Sequence, residues 1–91
     1  MITQHDYWVY IVTNWKRTAL YVGITNNIAR RLVEHYNNRG IPKTFAGRYY
    51  CYNLVYYEWY QYVHNALARE KEIKKMDGME IIYLYTILIY R

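Results

Sequence analysis

The stretch that most constrains this chain runs from Tyr7 to Gly23. Tyr7–Thr13 (YWVYIVT) is rich in β-branched and aromatic residues, Asn14–Arg17 is polar enough to turn, and Ala19–Gly23 (ALYVG) resumes the strand chemistry. Two such runs around a short polar turn read as a β-hairpin. Directly after it, YVGITNNIARRLVEH places a tyrosine, a glycine, paired arginines and a histidine within fifteen residues, at a strand-to-helix junction.

The remainder divides by the same signals. Met1–Asp6 reads as a frayed start. Thr25 or Asn26 can cap a helix that runs to about Asn38 and stops at Gly40. Residues 40–47 hold the only proline, two of the four glycines, Lys43 and Thr44, and read as a loop. Tyr49–Glu58 (YYCYNLVYYE), flanked by Arg48, reads as a third strand. A second helix spans about Gln61 to Met76 and is broken by Gly78. The segment 77–91 leans towards a closing helix. Being apolar on nearly every side, it must be buried or paired. No repeat, linker or low-complexity segment interrupts the chain, so residues 1–91 are expected to form a single domain.

Composition narrows the function classes. Twelve Lys and Arg against seven Asp and Glu give a formal charge of +5, which suits a polyanionic partner. Eleven of the twelve cationic residues lie between Lys16 and Lys75, so a polyanion site belongs to the first three quarters of the chain. Fourteen tyrosines inflate the 54% apolar content, and a tyrosine can sit at a surface with its tip wet. The opening has no basic stretch followed by an apolar run, and IIYLYTILIY (81–90) is too short to span a bilayer. The lone cysteine, Cys51, excludes an internal disulfide, and no Cys/His spacing suggests zinc. These features point to a cytoplasmic setting without membrane attachment.

Helical spacing separates the arginines. At about 100° per residue, Ile28, Leu32 and His35 share one face with Arg31 on its flank, while Arg30 and Glu34 point away. By itself this reads as a snorkelling Arg31 and a satisfied boundary histidine. On the second helix Val63, Ala66, Leu67 and Ile73 form an apolar stripe with Glu70 in its middle, and Lys71, Glu72 and Lys75 face outward. A carboxylate on a buried face needs a partner. Two readings stay open for it: a salt bridge to Arg31, or a metal ligand in a cleft. Tyr10 and Tyr21, on adjacent hairpin strands, are explained as readily by core packing, and Gly23 permits close approach of backbone or ligand.

Taken together, these residues resemble the GIY-YIG nuclease superfamily. Trp8-Val9-Tyr10 matches its first signature segment and Tyr21-Val22-Gly23 its second. Arg31, His35 one turn later, and Glu70 on the second helix follow in order. GITNNIARRLVEH and ALAREKEIKK are similar to the small stand-alone bacterial members related to the N-terminal domain of the UvrABC excinuclease C subunit. The resemblance covers residues 7 to about 76. It implies an α+β fold, a small three-stranded antiparallel sheet flanked by helices, here in the order β-β-α-β-α-α.

It further implies metal-dependent hydrolysis of nucleic-acid phosphodiesters, DNA before RNA. Glu70 would hold a single Mg²⁺ or Mn²⁺, and Tyr10 or Tyr21 would orient or deprotonate the attacking water. Arg31 would stabilise phosphate charge, and His35 would assist proton transfer or contact phosphate. Gly23, Lys43, Arg48 and Lys74 would lie along the nucleic acid. A hard cation takes carboxylate and water oxygens, and a guanidinium offers a permanently charged fork to phosphate. Phenols, with an ordinary pKa of about 10, need help to act as bases. Trp8 replaces the first signature glycine and Ile24 stands where the repair subunit has lysine. Met76-Asp77-Gly78 and an almost uncharged tail replace the usual tryptophan and basic residues. Two further readings remain: a non-cleaving nucleic-acid binder using Arg48-Tyr49-Tyr50, and a protein-interaction domain whose apolar C-terminal segment forms a homodimer or larger complex.

Overall fold

The computed structural model describes residues 6–89, so nearly all of the expected frayed start, Met1–Asp6, lies outside the described residues. The hairpin forms as β1 (Tyr7–Thr13) and β2 (Leu20–Thr25). A third strand, β3 (Asn53–Tyr60), pairs antiparallel with the other side of β1, giving the sheet order β2-β1-β3. The α+β fold with a three-stranded antiparallel sheet is as expected.

The central strand is buried on both faces, which explains why YWVYIVT does not alternate. Val9, Ile11, Tyr10 and Val12 are all fully buried. Val9 and Ile11 face a layer containing Val22, Ala66, Ile73 and Ile81. Tyr10 and Val12 face the opposite layer, with Ala46, Cys51, Tyr21, Ile28 and Leu32. Each such apolar side chain contributes about 1.5–3 kcal/mol by leaving water. A bulge opposite Ile11 and Val12 turns both Val55 and Tyr56 towards the Val9 layer.

Helix α1 (Ile28–Asn37) covers the Tyr10 layer. Its cap is Asn27, whose Oδ1 accepts from the Arg30 N–H at 3.0 Å, and not Thr25 or Asn26. Thr25 still belongs to β2, and its hydroxyl accepts from the N–H of Asn27, which holds the cap in place. The expected loop 40–47 contains a single helical turn, α2 (Phe45–Arg48), capped by Thr44. That turn also corrects the third strand. Tyr49 and Tyr50 close α2, Tyr50 in a left-handed conformation at φ 59°, so β3 starts at Asn53 and runs on to pair Tyr60 with Tyr7.

Helix α3 (Val63–Lys74) packs on β1 and β2 through Ala66 and Ile73, both fully buried. The expected stripe is narrower than its sequence, because Val63 and Leu67 stand exposed. Helix α4 (Gly78–Ile89) begins at Gly78 itself. It sends Ile81 into the core but leaves Met79, Ile82 and Tyr83 exposed, so the described part of this segment is not buried all round. No helix among the described residues is long and apolar enough to cross a membrane.

One polar network braces the Val9 layer, and the sequence reading did not single it out. Glu58 takes a two-pronged contact from Arg69, with Nε and a terminal nitrogen each 3.0 Å from a carboxylate oxygen, and hydroxyls from Tyr56 and Tyr60. Burial would push the carboxyl up, but Arg69 and the two phenols hold it below its ordinary value. Burial and the same carboxylate push Tyr60 up to about 12. With Glu58 removed, Arg69 and two phenols lose their acceptor. We expect Glu58→Ala to lower unfolding free energy by about 2–4 kcal/mol, read as a drop in the urea midpoint with unchanged slope.

Candidate active site

Register builds the site. Tyr10 pairs across the hairpin with Gly23, and Tyr21 with Val12, so the two phenols are diagonal neighbours on one face, with ring centroids 6.3 Å apart. A Cβ at Gly23 would come within 2.5 Å of the Tyr10 hydroxyl oxygen and 2.8 Å of the Tyr21 ring. The absent side chain is therefore the bed of Tyr10. Close approach at Gly23, expected for backbone or ligand, is made by these two rings, and Gly23 is itself buried.

Helix α1 closes the cluster from above. Spacing of four brings Arg31 and His35 onto the face towards the sheet. The Tyr10 hydroxyl lies 2.8 Å from His35 Nε2 and accepts from Arg31 Nε at 3.1 Å. With its oxygen receiving the Arg31 proton, the phenol donates to Nε2, which assigns the imidazole proton to Nδ1. Both tyrosine rings meet His35 edge-on, at 5.6 and 5.5 Å. Arg31 also pairs with Glu34 at 3.2 Å. Glu34 thus does not point away as its helical position suggested; a guanidinium on the flank of the stripe draws it round.

Electrostatics separate the roles. Burial pushes Tyr10 up to about 12, against the pull of Arg31, so it keeps its proton. Burial, with Arg31 beside it, pushes His35 down to about 4, leaving a neutral imidazole at neutral pH. Burial works against the charge of Arg31, but Tyr10, Glu34 and Tyr21 outweigh it and raise its pKa further. His35 is only 5% exposed, and its Nε2 is engaged with the Tyr10 hydroxyl. The arginine side chain is 35% exposed and Tyr21 half-buried, and these are the cluster's reachable groups.

The other expected residues make contacts of their own. Glu70 lies on the sheet-facing stripe of α3 between Ala66 and Ile73, and its side chain is 14% exposed. Its ion pair is with Lys74 at 3.7 Å, not with Arg31, whose acid partner is Glu34. Glu70 belongs to the Val9 side of the sheet and the tyrosines to the other. β2, the edge strand beside α3, carries Tyr21 on that other face. The Lys74 ammonium lies 3.7 Å from Glu70, on a side chain that is half exposed. Lys43 is exposed, and Arg48 donates to the carbonyl of Pro42 at 3.2 Å.

A three-stranded sheet with paired signature tyrosines under an arginine-bearing helix defines a class. The chain belongs to the GIY-YIG catalytic domain family, whose profile matches residues 6–79. A UPF0213 protein of Staphylococcus saprophyticus is 37% identical over 78 residues, spanning 86% of this chain and 92% of that protein. A UPF0213 protein of Clostridium perfringens is 39% identical over 77 residues, spanning 85% and 80%. The solution NMR structure of a UPF0213 protein from Bacillus halodurans shares the fold. Its TM-score is 0.55 at 24% identity, covering 90% of this chain and 84% of that one.

Two outcomes are expected from this geometry. His35 has a lowered pKa, so the unfolded chain binds its proton first on acidification, and stability present above pH 6.5 is lost as pH falls towards about 4. His35→Gln, which cannot take that proton, should flatten the loss between pH 6.5 and 5 in urea midpoints. Gly23→Ala, forced against the Tyr10 hydroxyl, should cost about 1–3 kcal/mol in the same assay.

Proposed function

We propose that the protein is a divalent-metal-dependent endonuclease acting on nucleic acid, DNA before RNA. The observation that carries this reading is the Tyr10 hydroxyl, bonded at once to His35 and Arg31 beneath Tyr21. It fixes a charged guanidinium and a reachable phenol on one face. Nε of Arg31 is committed to Tyr10 and one terminal nitrogen to Glu34, with Tyr21 also drawing on the guanidinium, so the N–H groups left over are those that would meet phosphate oxygens. Such a preset donor stabilises charge developing on phosphorus-bound oxygen.

The two tyrosines divide the work. Tyr10, fully buried with its pKa near 12, positions Arg31 and holds its own proton. Tyr21, half-buried beside it, orients the attacking water. His35 receives the Tyr10 hydrogen bond and fixes the phenol's direction.

The donor set fits a hard ion. Among the described residues no three His, Cys, Asp or Glu side chains gather into a metal cage. Glu70 offers one largely buried carboxylate, and Mg²⁺ characteristically takes one or two carboxylates with waters and substrate phosphate. Glu70 would hold Mg²⁺ or Mn²⁺, which when bound acidifies water and polarises the leaving oxygen. The Lys74 ammonium competes for that carboxylate, and this pair favours the second reading, a nucleic-acid binder that does not cleave.

Nicking of plasmid and branched DNA with Mg²⁺ or Mn²⁺ tests the proposal. Glu70→Ala should abolish it, Arg31→Ala should slow it by about 10²- to 10³-fold, and Tyr21→Phe should slow it more than Tyr10→Phe. Full activity in Glu70→Ala would overturn the assignment. Salt-sensitive retention of DNA without nicking would select the binder.

A further inference from the structure

Beyond Thr13 the hairpin turn and the connection from α2 to β3 enclose a hollow of about 270 Å³, lined by Asn14, Trp15, Lys16, Tyr49, Tyr50 and Tyr52. Four of these six are aromatic and one is cationic. Pockets for drug-sized ligands run to about 300–1,000 Å³, so this one suits a single flat ring system.

Its walls are held by the fold. The N–H of Tyr52 donates to the carbonyl of Thr13 at 3.1 Å. The Tyr52 ring meets Tyr36 edge-on at 5.4 Å, and the Arg39 guanidinium lies 3.7 Å above the Tyr36 ring. Tyr50 is held at φ 59°, rare for a bulky residue, with its hydroxyl lying where a Cβ on Gly40 would approach to 3.0 Å. Asn14 spends its amide on the turn: Oδ1 accepts from the N–H groups of Thr18 and Ala19, and Nδ2 donates to the Thr18 hydroxyl. It shapes the hollow, and the rings are left to make the contact. Trp15 is 79% exposed and Lys16 stands beside it.

The hollow lies beyond the ends of the strand and helix that carry the candidate active site. Thr13 follows Tyr10 by three residues on β1, about 10 Å along the strand, and Tyr36 directly follows His35 on α1. Aromatic rings that accept any base face, flanked by cations, are the chemistry of unpaired nucleic acid.

Resting on the nucleic-acid reading above, we propose that this hollow receives one unpaired base of the substrate strand. The base stacks among Trp15, Tyr49, Tyr50 and Tyr52, while Lys16 and Arg39 meet the flanking phosphates. The substrate class is then nucleic acid with a single-stranded segment beside the scissile bond, and not uniform duplex.

The test is binding of a labelled oligothymidylate and of a blunt duplex, read by fluorescence anisotropy in EDTA so that cleavage plays no part. Trp15→Ala should weaken single-strand binding by about 5- to 100-fold and leave duplex binding unchanged, while Trp15→Phe keeps most of the affinity. Lys16→Ala should weaken single-strand binding and reduce its salt slope by about one. Single-strand affinity in Trp15→Ala equal to the parent's, or an equal loss for both DNAs, would overturn the pocket. Trp15-dependent single-strand binding by a protein that nicks nothing with either metal supports the pocket and overturns only the nuclease reading.

Discussion

A single buried hydroxyl ties the hairpin to the helix. Tyr10 sits on the central strand with no exposed surface, and its oxygen joins His35 and Arg31 of α1. A phenol so placed must have both a donor and an acceptor, because an unsatisfied polar group there costs about 1–3 kcal/mol. The neutral imidazole and the charged guanidinium supply the two. The bond that orients Arg31 therefore also fixes the tilt of α1 against the sheet, and stability and site geometry rest on the same atoms.

The central strand makes this possible by separating two chemistries. On one side Val9 and Ile11 meet α3 and α4, braced by the Glu58–Arg69 pair with its two tyrosine hydroxyls. On the other, Tyr10 and Val12 meet α1 and α2, with the tyrosine cluster at the Gly23 position. The acid expected at the site, Glu70, starts from the first side and the phenols from the second.

Much of this was legible in the sequence, and the failures have particular causes. The hairpin and the stripe Ile28–Leu32–His35 follow from local periodicity and hold. The third strand was read four residues early because Tyr49 and Tyr50 have strand composition. Thr44 capping a helical turn, and Tyr50 in a left-handed conformation, take them out of the sheet. Val63 and Leu67 carry the right period for a buried stripe, but the apolar residues that α3 buries fully against the sheet are Ala66 and Ile73. Glu58 and Arg69 lie eleven residues apart on different elements; the one trace in the sequence is an acid alternating with Tyr56 and Tyr60 on a strand.

Sequence by itself determined the hairpin, the longer helices, the inward face of α1, and the family to which the chain belongs. All of these depend on short-range spacing and on residue types in order. Tertiary structure alone decided which tyrosine is sealed and which is reachable, because that depends on which residue faces Gly23 across the hairpin. It also decided which acid and cation meet across elements: Glu58 of β3 takes Arg69 of α3 because the final packing sets that distance, whereas Arg31–Glu34 and Glu70–Lys74 lie one helical turn apart.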